Sequence, residues 1–427
     1  MNEWSSFDTI TKGKGIWLID SKGNKIIDAV GSMWCNVWGH SNPQLVKAIT
    51  KQSKQIQHSS LFNLTNEPAE KLAKNLIKIS PGMNKVFYSD NGSSAMEIAI
   101  KMALQYWKNI GEIKKTQIAT IENGYHGDTF GAMSVGYVPE FFRKFKKQLF
   151  STIQFPVPNK YRLPKGFTLS DYQNHCLEKI EKRFSKNNDI AAFIMESGAQ
   201  MAGGVIIYPK DFQKRISELC KKYDILFVLD EIATGFGRLG SMVQYQDQKS
   251  IPDIVAYGKM LTGGYLTMAA TLANKKIYDS FSGEFNDWKH LFHGHTYTGN
   301  PIAAAVANEN LQMYEKYNLI KQVQKTSKIF EKYSQEILDI DIVGDVRHKG
   351  MLMGIELVSN KKKKTPIRTK KSINKVFFEE GKKQGIYLRT LGNIVMLVPP
   401  LSIQQNELEL LLKKTIKTIQ VAKSKTF

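Results

Sequence analysis

The chain has 427 residues, 42% of them apolar and 23% charged, and a formal net charge of +21. That length carries one large core with a smaller domain, or two to three domains, and the composition excludes a disordered or low-complexity chain. No apolar stretch approaches the roughly 18 residues of a membrane span, and the opening "MNEWSSFDTITKGKG" has no basic segment running into an apolar one, so no membrane partner and a cytoplasmic location are expected.

Taken in chain order, "GIWLIDSKGNKIIDAV" (15–30) alternates on both sides of a Ser-Lys-Gly-Asn turn and reads as a β-hairpin. "PAEKLAKNLIKIS" reads as a helix closed by Pro81 and Gly82. Short apolar strands then alternate with amphipathic helices. The strands are "KVFYS", "QIATIE", "IAAFIME", "ILFVLD", "DIVAYG" and "MAATLAN", with helices such as "DFQKRISELCKKY" between several of them. This rhythm predicts an α/β fold, a mostly parallel sheet with helices on both faces. From about residue 302 the texture changes to long helices, "AAAVANENLQMYEKY" and "IKQVQKTSKIFEKYSQEIL", followed by the strands "MLMGIEL" and "IVMLVPP" and a final helix. A second, smaller α+β domain is expected there, joined by the N-terminal hairpin.

Cys35, Cys176 and Cys220 form no CxxC pair and no metal-ligand spacing, so no metal site is expected and a reducing compartment suits them. The positive charge raises a nucleic-acid partner. The lysines are spread along the whole chain, however, and the densest run, "KKKKTPIRTKK" (361–371), reads as a solvated loop between two strands. No nucleic-acid-binding motif accompanies it, so no nucleic-acid partner is expected.

The chemistry gathers at strand ends, where open α/β sheets bind their ligands. After "KVFYS" a small-residue turn through Asn91, Gly92 and Ser93 opens a helix whose free N–H groups and dipole favour a phosphate. Tyr125 follows the next strand and can stack on a flat heterocycle, although packing is the commoner use of a lone tyrosine. His126 beside it reads as a structural histidine. "ILFVLD" ends in two acids, Asp230 and Glu231, and "DIVAYG" ends beside Lys259, one strand-helix-strand unit later. A carboxylate at a buried strand end can hold a protonated ring nitrogen; a cap or salt bridge is its ordinary alternative. A lysine whose proton is displaced can form a Schiff base with an aldehyde. Phosphate cup, aromatic cover, ring-nitrogen carboxylate and Schiff-base lysine together describe a pyridoxal 5′-phosphate site, and that cofactor is the reason for acids at the end of a core strand. Glu196, ending "IAAFIME", reads as a buttress, and Arg238 in "GFGRLG" as a structural ion pair.

The blocks "SDNGSSAMEIAIKMALQYW", "NGYHGDTFGAMSVG", "LDEIATGFGRLG", "YGKMLTGG", "HGHTYTGNP" and "LRTLGNIVMLVPP", spread over residues 89–400, carry a resemblance to the fold-type I, class III (ω-amino acid type) aminotransferases. Within that family the chain resembles the biotin-pathway branch that converts 7-keto-8-aminopelargonate to 7,8-diaminopelargonate. The resemblance implies a large cofactor-binding domain over 51–305 with a seven-stranded-type sheet, a small α+β domain over 306–427, and an N-terminal segment, 1–50, that joins the small domain. It implies a homodimer with shared active sites. It makes Lys259 the Schiff-base lysine and proton shuttle, Asp230 the partner of the pyridine nitrogen, and Tyr125 the cover of the ring. Asn91 and Gly92 would hold the phosphate, completed by His295 and Thr296 of the other subunit. Met33, Trp34 and Gly294 would line the substrate channel, and Arg389 would bind the substrate carboxylate.

There are departures. Asn91 stands where the family usually has serine, which implies altered rather than lost phosphate affinity. Met33-Trp34 replaces a tryptophan pair, His295 stands where proline is common, and the N-terminal segment is short. The default amino donor of the branch is S-adenosyl-L-methionine, and these departures keep L-lysine as the alternative. Other class III enzymes, acting on ornithine, 4-aminobutyrate or acetylornithine, or an aminomutase, are the further readings.

Overall fold

A computed structural model describes residues 7–369 and 372–426. The start of the N-terminal segment read above, and Lys370 and Lys371 at the end of the lysine run, lie outside these residues. Among the described residues, seven strands form the central sheet in the order β4-β12-β11-β10-β7-β5-β6. They are β4 (Lys85–Ser89), β5 (Gln117–Ile121), β6 (Ile153–Phe155), β7 (Ile190–Glu196), β10 (Leu226–Asp230), β11 (Ile254–Tyr257) and β12 (Ala269–Ala273). Pairing is parallel from β11 through β10, β7 and β5 to β6, and antiparallel only where β12 joins β11 and β4. Six of the seven strands correspond to the apolar runs read from the sequence. β6 was missed because its three residues are too short to carry an alternation.

The inner strands are unbroken apolar runs because both faces of the sheet are covered, as parallel sheets require. Side-chain alternation splits them between two layers. Ala192, Ile194, Val228, Ile254 and Ala256 pack with the helix Gly92–Asn109. Phe193, Met195, Phe227, Leu229, Val255 and Tyr257 face the opposite layer. Each fully buried large side chain of this kind contributes about 1.5–3 kcal/mol relative to exposure. Several of the helices begin on side-chain caps. Asn66 accepts from Ala69 N, Asn91 from Ser94 N, and Thr168 forms a reciprocal box with Asp171.

The remaining strands lie outside this sheet. β1 (Ile10–Lys14), β2 (Trp17–Asp20) and β3 (Lys25–Asp28) form the N-terminal hairpin region, and β3 pairs in parallel with β16 (Ile386–Tyr387) from the far end of the chain. β13 (Val343–Lys349), β14 (Leu352–Asn360), β15 (Thr365–Pro366), β17 (Arg389–Leu391) and β18 (Ile394–Leu397) make a second sheet, and β8 (Ala199–Gln200) pairs with β9 (Ile206–Ile207). The stretch read as one helix, "IKQVQKTSKIFEKYSQEIL", is two, Leu319–Thr326 and Lys328–Leu338, meeting at Ser327. The lysine run starts as an exposed turn and then pairs briefly with β14 through Thr365 and Pro366.

Candidate active site

The sheet delivers its functional groups from one edge. β7 and β10 run in register, so Glu196 and Asp230 end side by side, and Asp230 is level with Ala256 of β11. Two residues past the end of β11, Lys259 opens a short 3-10 turn with φ of 42°. β5 leads to Tyr125 and His126, and β4 to Asn91 and Gly92. A cavity of about 460 Å³ opens at this edge, lined by Trp34, Asn91, Gly92, Tyr125, Asp230 and Lys259 together with Ser93, His126, Asp128, Glu196 and Thr234. That volume suits a small cofactor.

Lys259 forms no ion pair among the described residues, and burial pushes its ammonium pKa below the ordinary lysine value, against the pull of Asp230 and Glu196. The amine is therefore easier to deprotonate than a surface lysine's, the property that an amine nucleophile needs. Asp230 is 4% exposed. Its Oδ1 accepts from Ile232 N at 2.9 Å and its Oδ2 lies 2.8 Å from His126 Nδ1. His126, read from sequence as structural, is thus in direct contact with the key carboxylate, and its other ring nitrogen is buried without a partner among the described residues. Glu196 accepts from Tyr125 N at 3.2 Å and Met201 N at 2.9 Å, and burial lifts its pKa to about 7. It buttresses the loop that carries Tyr125.

Tyr125 stacks on Phe142, with ring planes 15° apart, and meets Phe141 edge-on. Burial and the Asp128 carboxylate raise its hydroxyl pKa, so the phenol stays protonated. At the phosphate turn, Asn91 Oδ1 is committed to Ser94 N as the helix cap, and its amide group donates to Asp90. The amides of Gly92 and Ser93, in the first helical turn, have no intrahelical acceptor. Ser93, read from sequence as part of the phosphate turn, also reaches beyond it through its side chain. Its hydroxyl accepts from Thr129 N at 3.1 Å, tying the turn to the loop after Tyr125. Gly127, in that loop, takes φ of 123°, and a Cβ there would stand 2.3 Å from Ser93 Oγ; only glycine fits.

The two acids that end β10 diverge. Glu231 follows Asp230 but turns away from the cavity, where its carboxylate holds Gln244 N and Tyr245 N at 2.8 and 2.7 Å and so anchors the short helix Gln244–Asp247. Only Asp230 ends the strand at the cavity, which corrects the reading of both acids as cofactor-facing. Arg238 likewise forms no ion pair among the described residues. It is buried, donates to the carbonyls of Met351 and Pro399, and has its pKa pushed down to about 10 by burial.

The outer predicted residues do not line the cavity floor. Trp34 does, 6% exposed, with its ring centroid 5.6 Å from Lys259 Nζ. Met33 is half exposed beside it, its sulfur in contact with the Arg389 guanidinium, and the charge of Arg389 is felt at the Tyr125 hydroxyl. Ser32, Met33 and Trp34 have φ of 46°, 72° and 73°, a left-handed turn that costs roughly 1–2 kcal/mol per non-glycine residue. Gly294 and Thr296 are exposed, and His295 Nε2 lies 3.2 Å from Asp90 of its own chain.

The donor set fits a flat, phosphorylated, aldehyde-bearing heterocycle. Free helix-start amides suit the phosphate, the buried carboxylate a cationic ring nitrogen, the buried amine the aldehyde, and Tyr125 a ring face. The class-III aminotransferase family model matches residues 2–419. An adenosylmethionine-8-amino-7-oxononanoate aminotransferase of Staphylococcus aureus is 44% identical, covering 95% of this chain and 90% of the relative. The crystal structure of the enzyme of that name from Methanocaldococcus jannaschii is 40% identical with a TM-score of 0.91, over 97% of this chain and 93% of that one. An ω-transaminase of Pseudomonas jessenii, solved in complex with PMP, is 29% identical with a TM-score of 0.94, over 98% and 94%.

Proposed function

Because the chain belongs to the class-III aminotransferases, a pyridoxal phosphate-dependent family, we propose that it transfers an amino group from S-adenosyl-L-methionine to 8-amino-7-oxononanoate, giving 7,8-diaminononanoate for biotin. The observation that carries this reading is the relative of that name at 44% identity over nearly the whole chain. The site supports it, with a buried amine and a buried carboxylate side by side below an arginine that can receive a carboxylate.

The bound cofactor supplies a ring that withdraws electrons from the reacting carbon. The protein does the rest. Gly92 and Ser93 amides hold the phosphate, with His295 and Thr296 of a second subunit closing it. Asp230, steadied by His126, holds a proton at the ring nitrogen. Tyr125 covers the ring and excludes water, and Trp34 walls the substrate channel. Lys259 takes a proton from the substrate carbon and returns it on the other side of the transfer. Arg389 grips the carboxylate of the keto acid in a bidentate pair, and Gly294 leaves room for it to enter. Replacing Arg389 with alanine is expected to raise KM for the keto acid by roughly 30–150-fold, in line with about 2–3 kcal/mol for a charge-assisted bond. An unchanged KM would remove Arg389 from this role.

We also infer a homodimer. Phe285, Trp288, Phe292 and Tyr297 are large, exposed apolar rings on the segment that carries Gly294, His295 and Thr296, and exposed patches of this kind mark interfaces. Sedimentation of the purified protein as a monomer would refute it. No described helix is long and apolar enough to cross a membrane; a cytoplasmic location accords with this.

L-lysine is the second donor reading, favoured by Met33 in place of a tryptophan at the wall. The test is the donor half-reaction: each amine is added alone while the visible band of the bound cofactor is followed. Bleaching by S-adenosyl-L-methionine supports the first reading, bleaching by lysine alone the second. A purified protein with no visible band would overturn both.

A further inference from the structure

We propose that Asp28 is a positioning residue for the substrate wall: with Ser32 and His40 it holds the left-handed turn of residues 31–34 and so fixes Met33 and Trp34 against Arg389 and Lys259. The substrate side of this inference rests on the function proposed above; the geometry does not.

Asp28 is the last residue of β3 and is fully buried. A buried carboxylate is costly unless its lone pairs are filled, and its only ion-pair partner among the described residues is His40. Three groups converge on it. Val30 N lies 3.4 Å from Oδ1, while Ser32 Oγ donates to Oδ2 at 2.8 Å and His40 Nε2 sits 3.0 Å from the same oxygen. Ser32 precedes Met33 and Trp34, and His40 follows them, so one carboxylate ties both sides of the loop. His40 is itself fixed, because its backbone exchanges two hydrogen bonds with Gly15, at 2.7 and 3.1 Å.

The turn needs such a clasp. Its own bonds, Trp34 N to Val30 O at 2.9 Å and Cys35 N to Gly31 O at 3.1 Å, must hold three side-chain-bearing residues in a region that L-residues avoid. Gly31 starts it at φ of 53°, where a Cβ would stand 2.7 Å from Val398 O. Nothing in the residues Ser32, Met33 and Trp34 favours this backbone locally.

The turn is also wedged between the two halves of the site. Asp28 pairs with Tyr387, two residues before Arg389, whose guanidinium touches Met33. On the other side Cys35 packs on Gly264, just past the turn that carries Lys259; a Cβ on Gly264 would lie 3.1 Å from Cys35 O. Relaxation of residues 31–34 therefore moves Met33 off Arg389 and Trp34 off Lys259 together.

The test compares Asp28→Ala and Ser32→Ala holoenzymes with wild type by hydrogen exchange and by steady-state kinetics. Loss of the clasp is expected to speed exchange of the amides at 34–36 by about tenfold in Asp28→Ala and by a smaller factor in Ser32→Ala. Peptides from β10 and from the Lys259 turn should exchange as in wild type. KM for the keto acid should rise by about tenfold or more while kcat changes by less than about threefold, the sign of lost wall rather than lost chemistry. Wild-type exchange at 34–36 in both variants, or faster exchange spread evenly over the molecule, overturns the proposal. If Asp28→Ala does not fold, Ser32→Ala decides alone, since Ser32 is exposed and its loss leaves the buried carboxylate in place. A wild-type enzyme inactive on the keto acid would refute the proposed function, and exchange at 34–36 would still judge the clasp.

Discussion

Replacing Lys259 with alanine is expected to abolish transamination, lowering turnover by about 10⁴-fold or more, the upper range for loss of a positioned proton-transfer group. No other described amine stands at this edge of the sheet: Lys259 alone lines the cavity, next to Asp230 and Glu196. Because Lys259 lines an open cavity, truncating it does not hollow out a packed core. The variant should therefore fold and sediment as wild type does, and bind the cofactor without the covalent link. Steady-state assay together with the visible spectrum after dialysis checks both halves. Substantial remaining turnover would take Lys259 out of the mechanism.

Asp230→Asn is the second large expected effect. Asparagine keeps the shape and can still accept from Ile232 N, but it removes the charge that faces His126 and, on the proposed function, would hold the ring nitrogen of the cofactor. If the roughly 3–5 kcal/mol typical of a broken buried pair falls on the transition state, kcat/KM should drop by roughly 10²–10⁴-fold. The loss should lie mainly in kcat, because the phosphate amides that bind the cofactor lie on another element. A variant within threefold of wild type would show that the ring nitrogen is held in some other way.

Much of this site was legible because its signals are local. Lys259 and Asp230 stand out as charged residues that terminate apolar runs, and the rule that α/β sheets present ligands at strand ends turns those runs into a map. The phosphate turn announced itself through small residues ahead of a helical repeat. The residues that sequence reasoning passed over are those whose roles depend on a partner far along the chain. His126, in the loop after β5, and Asp230, at the end of β10, meet across the intervening β7, and no spacing rule links them. Arg238 suggests an ion pair because charged side chains usually have one, yet it ends among carbonyls of Met351 and Pro399, contributed by a distant part of the chain.

The sequence by itself determined the alternation of strands and helices, the buried inner strands and the order of the chemical groups along them, because periodicity and capping act over a few residues. Which of Asp230 and Glu231 meets the cavity was decided by tertiary structure. Where the strand leaves the sheet, each carboxylate goes to whatever packs beside it: Asp230 to His126, Glu231 to the amides of Gln244 and Tyr245. The left-handed turn at 31–34 was decided there too. A positive φ at serine, methionine and tryptophan is unfavourable locally, so it exists only because contacts from β3, His40 and the strand before Arg389 over-determine it.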